Sequence, residues 1–211
     1  MLREVGEAFS EKQVTEAFNQ CYRICQSIQK EERDISFPDQ VQLFLRTIDR
    51  GLLKRIGPES FIRILNRYGA AFFQSPGVLA DGVPEMLSVL KKSGYTLAVI
   101  SNTARTPGRV LRAFLERTGV VHHFDHLTFS DEVRLAKPSR EIFLRTLEAL
   151  GVPPAQSVHV GDNRRSDVYG GQRAGMRTVR VEGLDVEEIR ATADVTIQRI
   201  AELPQALEGL S

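Results

Sequence analysis

The chain has 211 residues and a mass of 23.6 kDa, with 42% hydrophobic and 26% charged residues, which excludes a disordered or fibrous protein and suits one large domain or two small ones. Lys and Arg number 28 against 27 Asp and Glu, so a net charge of +1 gives no whole-protein field toward nucleic acid or an anionic membrane, and any anion site must be local. No apolar run reaches the roughly 18 residues of a membrane span, and the opening MLREVGEAFS lacks the apolar stretch of a secretory signal. The only cysteines, Cys21 and Cys25, share one helical face rather than a disulfide framework, so a reducing cytoplasm is the expected setting.

From Met1 to about Val78 the apolar residues have helical spacing. Val14, Phe18, Cys21 and Cys25 form one stripe, Val41, Phe44, Leu45 and Ile48 a second, and Phe61, Ile64, Leu65 and Tyr68 a third. Ser10 with Gln13 predicts a capping box, Ser36 to Asp39 opens the next helix, and Gly57-Pro58-Glu59-Ser60 stops and restarts the run. The segment predicts a small all-helical unit over 1–80, with Gly69 to Gly82 as the hinge to a second unit over 81–211.

Beyond Asp81 helical stretches alternate with short apolar runs. Helices are predicted at Pro84–Lys92, Gly108–Arg117, Pro138–Leu150 and Asp167–Ala174, and strands at Thr96–Ile100, His126–Phe129, Ser157–Val160, Arg177–Val181 and Ala193–Ile197, before a terminal helix. Unalternating strands separated by helices imply an α/β fold, a doubly wound parallel sheet covered on both faces.

Ligands of such sheets bind beyond the carboxyl ends of the strands. There the sequence places Ser101-Asn102-Thr103, then Ser130-Asp131 with Lys137-Pro138, then Gly161-Asp162-Asn163 with Asp167. Each alone is an ordinary turn, loop lysine or helix cap. Together they suit a phosphoryl group and a hard cation: a lysine and hydroxyls for phosphate oxygens, carboxylates for Mg²⁺.

The segments AVISNT, SDEVRLAKPSREIF and HVGDNRRSDVYGGQRAGM resemble motifs II, III and IV of the haloacid dehalogenase-like hydrolase superfamily, and the resemblance covers residues 81–200. It implies a Rossmann-like core with a helical cap over 1–80 that closes on substrate. It also implies that Ser101 and Lys137 are catalytic, that Asn102, Thr103, Gly161 and Asn163 shape the substrate loops, and that Asp162 and Asp167 serve Mg²⁺. Motif I, an apolar central strand ending in Asp-x-Asp, has no counterpart: no Asp-x-Asp occurs in the 211 residues, and residues 1–10 have helical spacing. The family's nucleophile is the first Asp of that motif, so the resemblance leaves this chain without it and leaves two facing strand edges unpaired.

The implied function is Mg²⁺-dependent hydrolysis of a small phosphorylated metabolite through an aspartyl nucleophile that this chain lacks. A non-catalytic phosphate- and Mg²⁺-binding or regulatory module is the alternative, and a 2-haloacid dehalogenase a lesser one. No nucleic-acid or membrane partner is expected, whereas self-association or a partner segment completing the sheet is. His122-His123 falls on a turn without further zinc-spaced ligands, and His159 reads as a core histidine. Arg105, Arg164 and Arg165 stand near strand ends, where they could meet a substrate anion.

Overall fold

The computed structural model describes residues 8–103, 106–183 and 191–210. Helix α1 spans Glu11–Lys30, α2 Phe37–Ile48, the single turn α3 Leu52–Arg55 and α4 Pro58–Ala70. The capping box forms as predicted: Gln13 N donates to Ser10 Oγ at 3.2 Å, and Ser10 N to Gln13 Oε1 at 2.9 Å. Ser36 caps α2 in the same manner, its Oγ accepting from Asp39 N. The three stripes meet: Ala17, Cys21 and Cys25 of α1 are buried against Val41, Phe44 and Leu45 of α2 and Ile64 of α4.

The predicted hinge starts late. Helix α4 continues through Gly69 to Ala70, a 3-10 turn follows at Ala71–Gln74, and irregular chain begins only at Ser75. Gly69 serves close packing rather than a bend, since a Cβ there would stand 3.2 Å from Val110 Cγ2.

The remaining order is α5 (Val83–Lys92), β1 (Ala98–Ser101), α6 (Gly108–Arg117), β2 (His126–Phe129), α7 (Ser130–Val133), α8 (Arg140–Leu150), β3 (Val158–Gly161), α9 (Gly170–Arg173), β4 (Arg177–Val181), β5 (Val195–Ile197) and α10 (Leu203–Glu208). Strand β1 starts two residues after the predicted Thr96 because Leu97 is tied to Asp125: Leu97 N donates to Asp125 Oδ2 at 2.9 Å, and Asp125 N to Leu97 O at 2.8 Å. The helix predicted from Asp167 begins at Arg164 as a π-helical turn running to Tyr169, a form that recurs at functional sites.

All pairings between the described strands are parallel, but these strands form two sheets, β1-β2 and β3-β4-β5. Neither β1 nor β3 has a strand partner on its other edge among the described residues. Between them lies an apolar slot of about 330 Å³ lined by Ala98, Ile100, Val158 and Val160, with Leu147 and Leu203 beside them. Every residue of β1 is only half-buried, whereas Val179 and Thr178 of β4 are fully buried. Helices cover both faces of the broken sheet. Met86, Leu87 and Leu90 of α5 with Leu203 and Leu207 of α10 pack on one side, and Ile142, Phe143 and Leu147 of α8 on the other. Each such side chain contributes roughly 1.5–3 kcal/mol by leaving water.

Among the described residues no helix is long and apolar enough to cross a membrane.

Candidate active site

The ends of β1 and β3 open on the same side, and the residues there hold one another. Asn102, just past β1, clamps Lys137 by its backbone: Lys137 N donates to Asn102 Oδ1 at 2.8 Å, and Asn102 Nδ2 to Lys137 O at 2.9 Å. The ammonium of Lys137 reaches Asp167 Oδ1 at 2.6 Å, with side chains only 12% and 6% exposed. His159 Nε2 lies 3.1 Å from the same oxygen, and Asn163 N donates to Asp167 Oδ2 at 3.0 Å. Burial by itself pushes the Asp167 carboxyl up, but the Lys137 charge and the His159 hydrogen bond outweigh it and hold the acid well below the ordinary carboxylate range. Burial drives His159 the other way, below the ordinary imidazole value, with the Lys137 charge adding to the effect. Lys137 is therefore a charged head fixed at both ends, with two N–H bonds left for an anion.

Gly161 makes the arrangement possible, because a Cβ there would sit 2.5 Å from Asp167 Cβ and Oδ2. Asn163 caps the π-helical turn, its Oδ1 accepting from Arg165 N at 3.0 Å and Ser166 N at 2.7 Å. Ser101 ends β1 half-buried, and its hydroxyl has no hydrogen-bond partner among the described residues. Above this floor Gln26, Gln29 and Lys30 of α1 roof a polar cleft of about 170 Å³, walled by Asn102, Lys137 and Arg165 and lined by no carboxylate of the described residues.

A second buried cluster ties the helical part to the strand ends. Asp34, 5% exposed, accepts from Ser130 Oγ at 2.5 Å and from Gln29 Nε2 at 2.9 Å. Ser130 Oγ in turn accepts from Thr103 N at 2.8 Å, and Asp131 beside it accepts from Gly108 N at 3.1 Å. Burial pushes the Asp131 carboxyl up.

The model of the haloacid dehalogenase-like hydrolase family matches residues 3–175. The chain belongs to that family. A glyceraldehyde 3-phosphate phosphatase of Methanopyrus kandleri is 30% identical over 135 residues, covering 62% of this chain and 56% of that protein. A phosphoglycolate phosphatase of Aquifex aeolicus is 27% identical over 82% of this chain and 81% of its own length. The match spans little more than half the length of the first three curated relatives. The crystal structure of a 2-haloacid dehalogenase from Pseudomonas syringae superposes with a TM-score of 0.71 over 97% of this chain and 83% of that one; at 19% identity it shows the shared fold, helical cap over α/β core, and nothing about chemistry.

Within this family member the structure distributes the expected site residues unevenly. Lys137, Asn102 and Asn163 line the cleft, but both asparagine side chains are engaged in holding backbone. Thr103, expected at the substrate, is buried and turned to Ser130 at 3.1 Å, on the cap side of the joint. Gly161 supplies room for Asp167 rather than a contact. Of the arginines, Arg164 Nη1 donates to Ala191 O at 3.2 Å and Arg165 Nη2 to Lys30 O at 3.2 Å, while Arg105 lies outside the described residues, as do residues 1–7. His159, read from sequence as a core residue, is buried and also a partner of Asp167.

The donors present do not by themselves fit Mg²⁺, which takes hard oxygen ligands in octahedral array. Both oxygens of Asp167 are taken by Lys137, His159 and Asn163, and Asp162 is exposed, its carboxylate lying toward Gly183. No group of three or more His, Cys, Asp or Glu that could hold a metal occurs among the described residues, His122 and His123 included.

Proposed function

We propose that the cleft under α1 binds the phosphate group of a small phosphate monoester, and that this chain carries the phosphate-binding part of a phosphatase site. The observation that carries the reading is Lys137, fixed by Asn102 and Asp167 so that its remaining N–H bonds face a carboxylate-free cleft. Ser101, which ends β1 with its hydroxyl unpartnered among the described residues, lies outside the lining of this cleft and would serve as a second donor only in the completed site. Phosphatase names among the relatives support the same substrate class.

Hydrolysis requires an in-line nucleophile at phosphorus. The sequence has no Asp-x-Asp and no carboxylate of the described residues lines the cleft, so the reading gives this chain binding and leaves the covalent step to an aspartate that the family resemblance would place between β1 and β3. The chain then acts as a binding module unless that aspartate is supplied. Asp162 would offer one oxygen to Mg²⁺ in the completed site. A dehalogenase is the weaker reading, since the curated relatives matched carry phosphatase names. Two buried free thiols, Cys21 and Cys25, support a cytoplasmic setting.

Titration with orthophosphate, followed by calorimetry, tests the reading. Saturable binding without added Mg²⁺ is expected, lost on Lys137→Ala; binding that survives Lys137→Ala unchanged refutes it. Turnover of an aryl phosphate by this chain alone would refute the division between binding and chemistry.

A further inference from the structure

The cleft holds more positive charge than the Lys137 end explains. Lys137 is already matched by Asp167, but Lys30 and Arg165 carry no ion pair among the described residues, and no carboxylate lines the cavity they share. The two come from opposite sides: Lys30 ends α1, and Arg165 belongs to the π-helical turn beyond β3. Arg165 is held in place twice. Its backbone N–H donates to Asn163 Oδ1 at 3.0 Å, and its Nη2 donates to the Lys30 carbonyl at 3.2 Å, which brings the guanidinium against the last turn of α1. A guanidinium has five N–H donors in a fork that matches a planar carboxylate, and this contact uses one.

The amides of the roof are engaged elsewhere. Gln26 donates to Tyr22 Oη at 3.1 Å and Gln29 to Asp34 Oδ2 at 2.9 Å, so each amide has one N–H committed to the protein and the cations are the charged groups lining the cleft. The cleft, at about 170 Å³, is below the roughly 300–1,000 Å³ of ordinary ligand pockets, which limits the alcohol part of a bound ester to a few atoms.

We propose that Lys30 and Arg165 form a subsite for a carboxylate on the alcohol part of the substrate, so that the cleft selects phosphate monoesters of small hydroxy acids over neutral ones of equal size. This rests on the phosphate reading above: the phosphate lies at Lys137 and the second anion at the α1 end.

Calorimetric titration of the intact chain at fixed ionic strength, with orthophosphate, ethyl phosphate and 2-phosphoglycolate, separates the two. The esters differ in a methyl against a carboxylate. Phosphoglycolate is expected to bind about tenfold more tightly than ethyl phosphate, the scale of one charge-assisted hydrogen bond. Arg165→Gln and Lys30→Gln should each remove most of that preference and leave orthophosphate binding within about twofold of the parent. Lys30 is exposed, so Lys30→Gln carries the test if Arg165→Gln fails to fold. Equal binding of the two esters overturns the subsite alone, as does a loss of orthophosphate binding in Arg165→Gln as large as the loss of phosphoglycolate. Absence of orthophosphate binding in the parent chain overturns the phosphate reading, and the subsite with it.

Discussion

Replacing Asp167 by Asn keeps the shape of the side chain and removes its charge, which isolates what the buried ion pair does. Lys137 Nζ and Asp167 Oδ1 are 2.6 Å apart with 12% and 6% of their side chains exposed, so solvent screens the pair little. Asp167→Asn leaves the ammonium buried without a counter-charge, a change that costs about 3–5 kcal/mol in comparable pairs. For a chain of this size each kcal/mol lowers the melting temperature by about 2–4 °C, so a fall of roughly 6–20 °C is expected in calorimetry or circular dichroism. Lys137→Met alone should cost a similar amount, because it strands the carboxylate. The double variant should be less destabilised than the sum of the two, since replacing both members of a buried pair by neutral groups removes the stranded charge. A cost below about 1 kcal/mol for Asp167→Asn, the range of exposed pairs, would refute the reasoning. So would strict additivity in the double variant.

Gly161→Ala forces a Cβ into Asp167, and overpacking of this kind should cost about 1–3 kcal/mol in urea unfolding while weakening orthophosphate binding as Lys137 loses its anchor. Acid should also loosen the fold: His159 has a lowered pKa when folded, so unfolding takes up a proton below the unfolded value of about 6.5, and stability should decline as pH falls through that point and again in the acid range where Asp167 protonates. His159→Gln should flatten the first decline in a pH series of urea melts; an unchanged series would refute the assignment. Along the slot, alternate amides of β1 and β3 should exchange with deuterium much faster than those of β4, and light scattering should detect self-association through these edges; uniform protection with a monomeric mass would mean that the slot is closed.

Periodicity carried much of the fold. The stripes of α1, α2 and α4 and the runs that became β2 and β4 were legible because burial of one face leaves a local pattern. The start of β1 was not, because the Leu97 N–H bonds the Asp125 side chain instead of a strand carbonyl, and that partner lies 28 residues away. The site divides in the same way. Lys137 was legible from its place after a strand, whereas the Asn102 clamp that fixes it spans 35 positions and leaves no local trace. Asp34 is further removed, meeting Ser130 across 96 positions, and nothing in the stretch around it marks it as the cap's contact with the strand ends. His159 looked like a core residue because its strand neighbours are apolar; only the fold brings Asp167 to its ring.

The break in the sheet changes what couples the two halves of the core. Among the described residues, hydrogen-bonded ladders join β1 to β2 and β3 through β5, but across the slot the connection is the Lys137–Asp167 ion pair at the strand ends and side-chain packing in the helix layers on either face. Ladders fix register, whereas packing of apolar side chains is non-directional, so it leaves the halves free to make small shearing displacements that a continuous sheet would forbid. Apolar contacts also weaken on cooling. The packed part of the joint between β1 and β3 is therefore expected to loosen on cooling, while the ladders on either side of it hold.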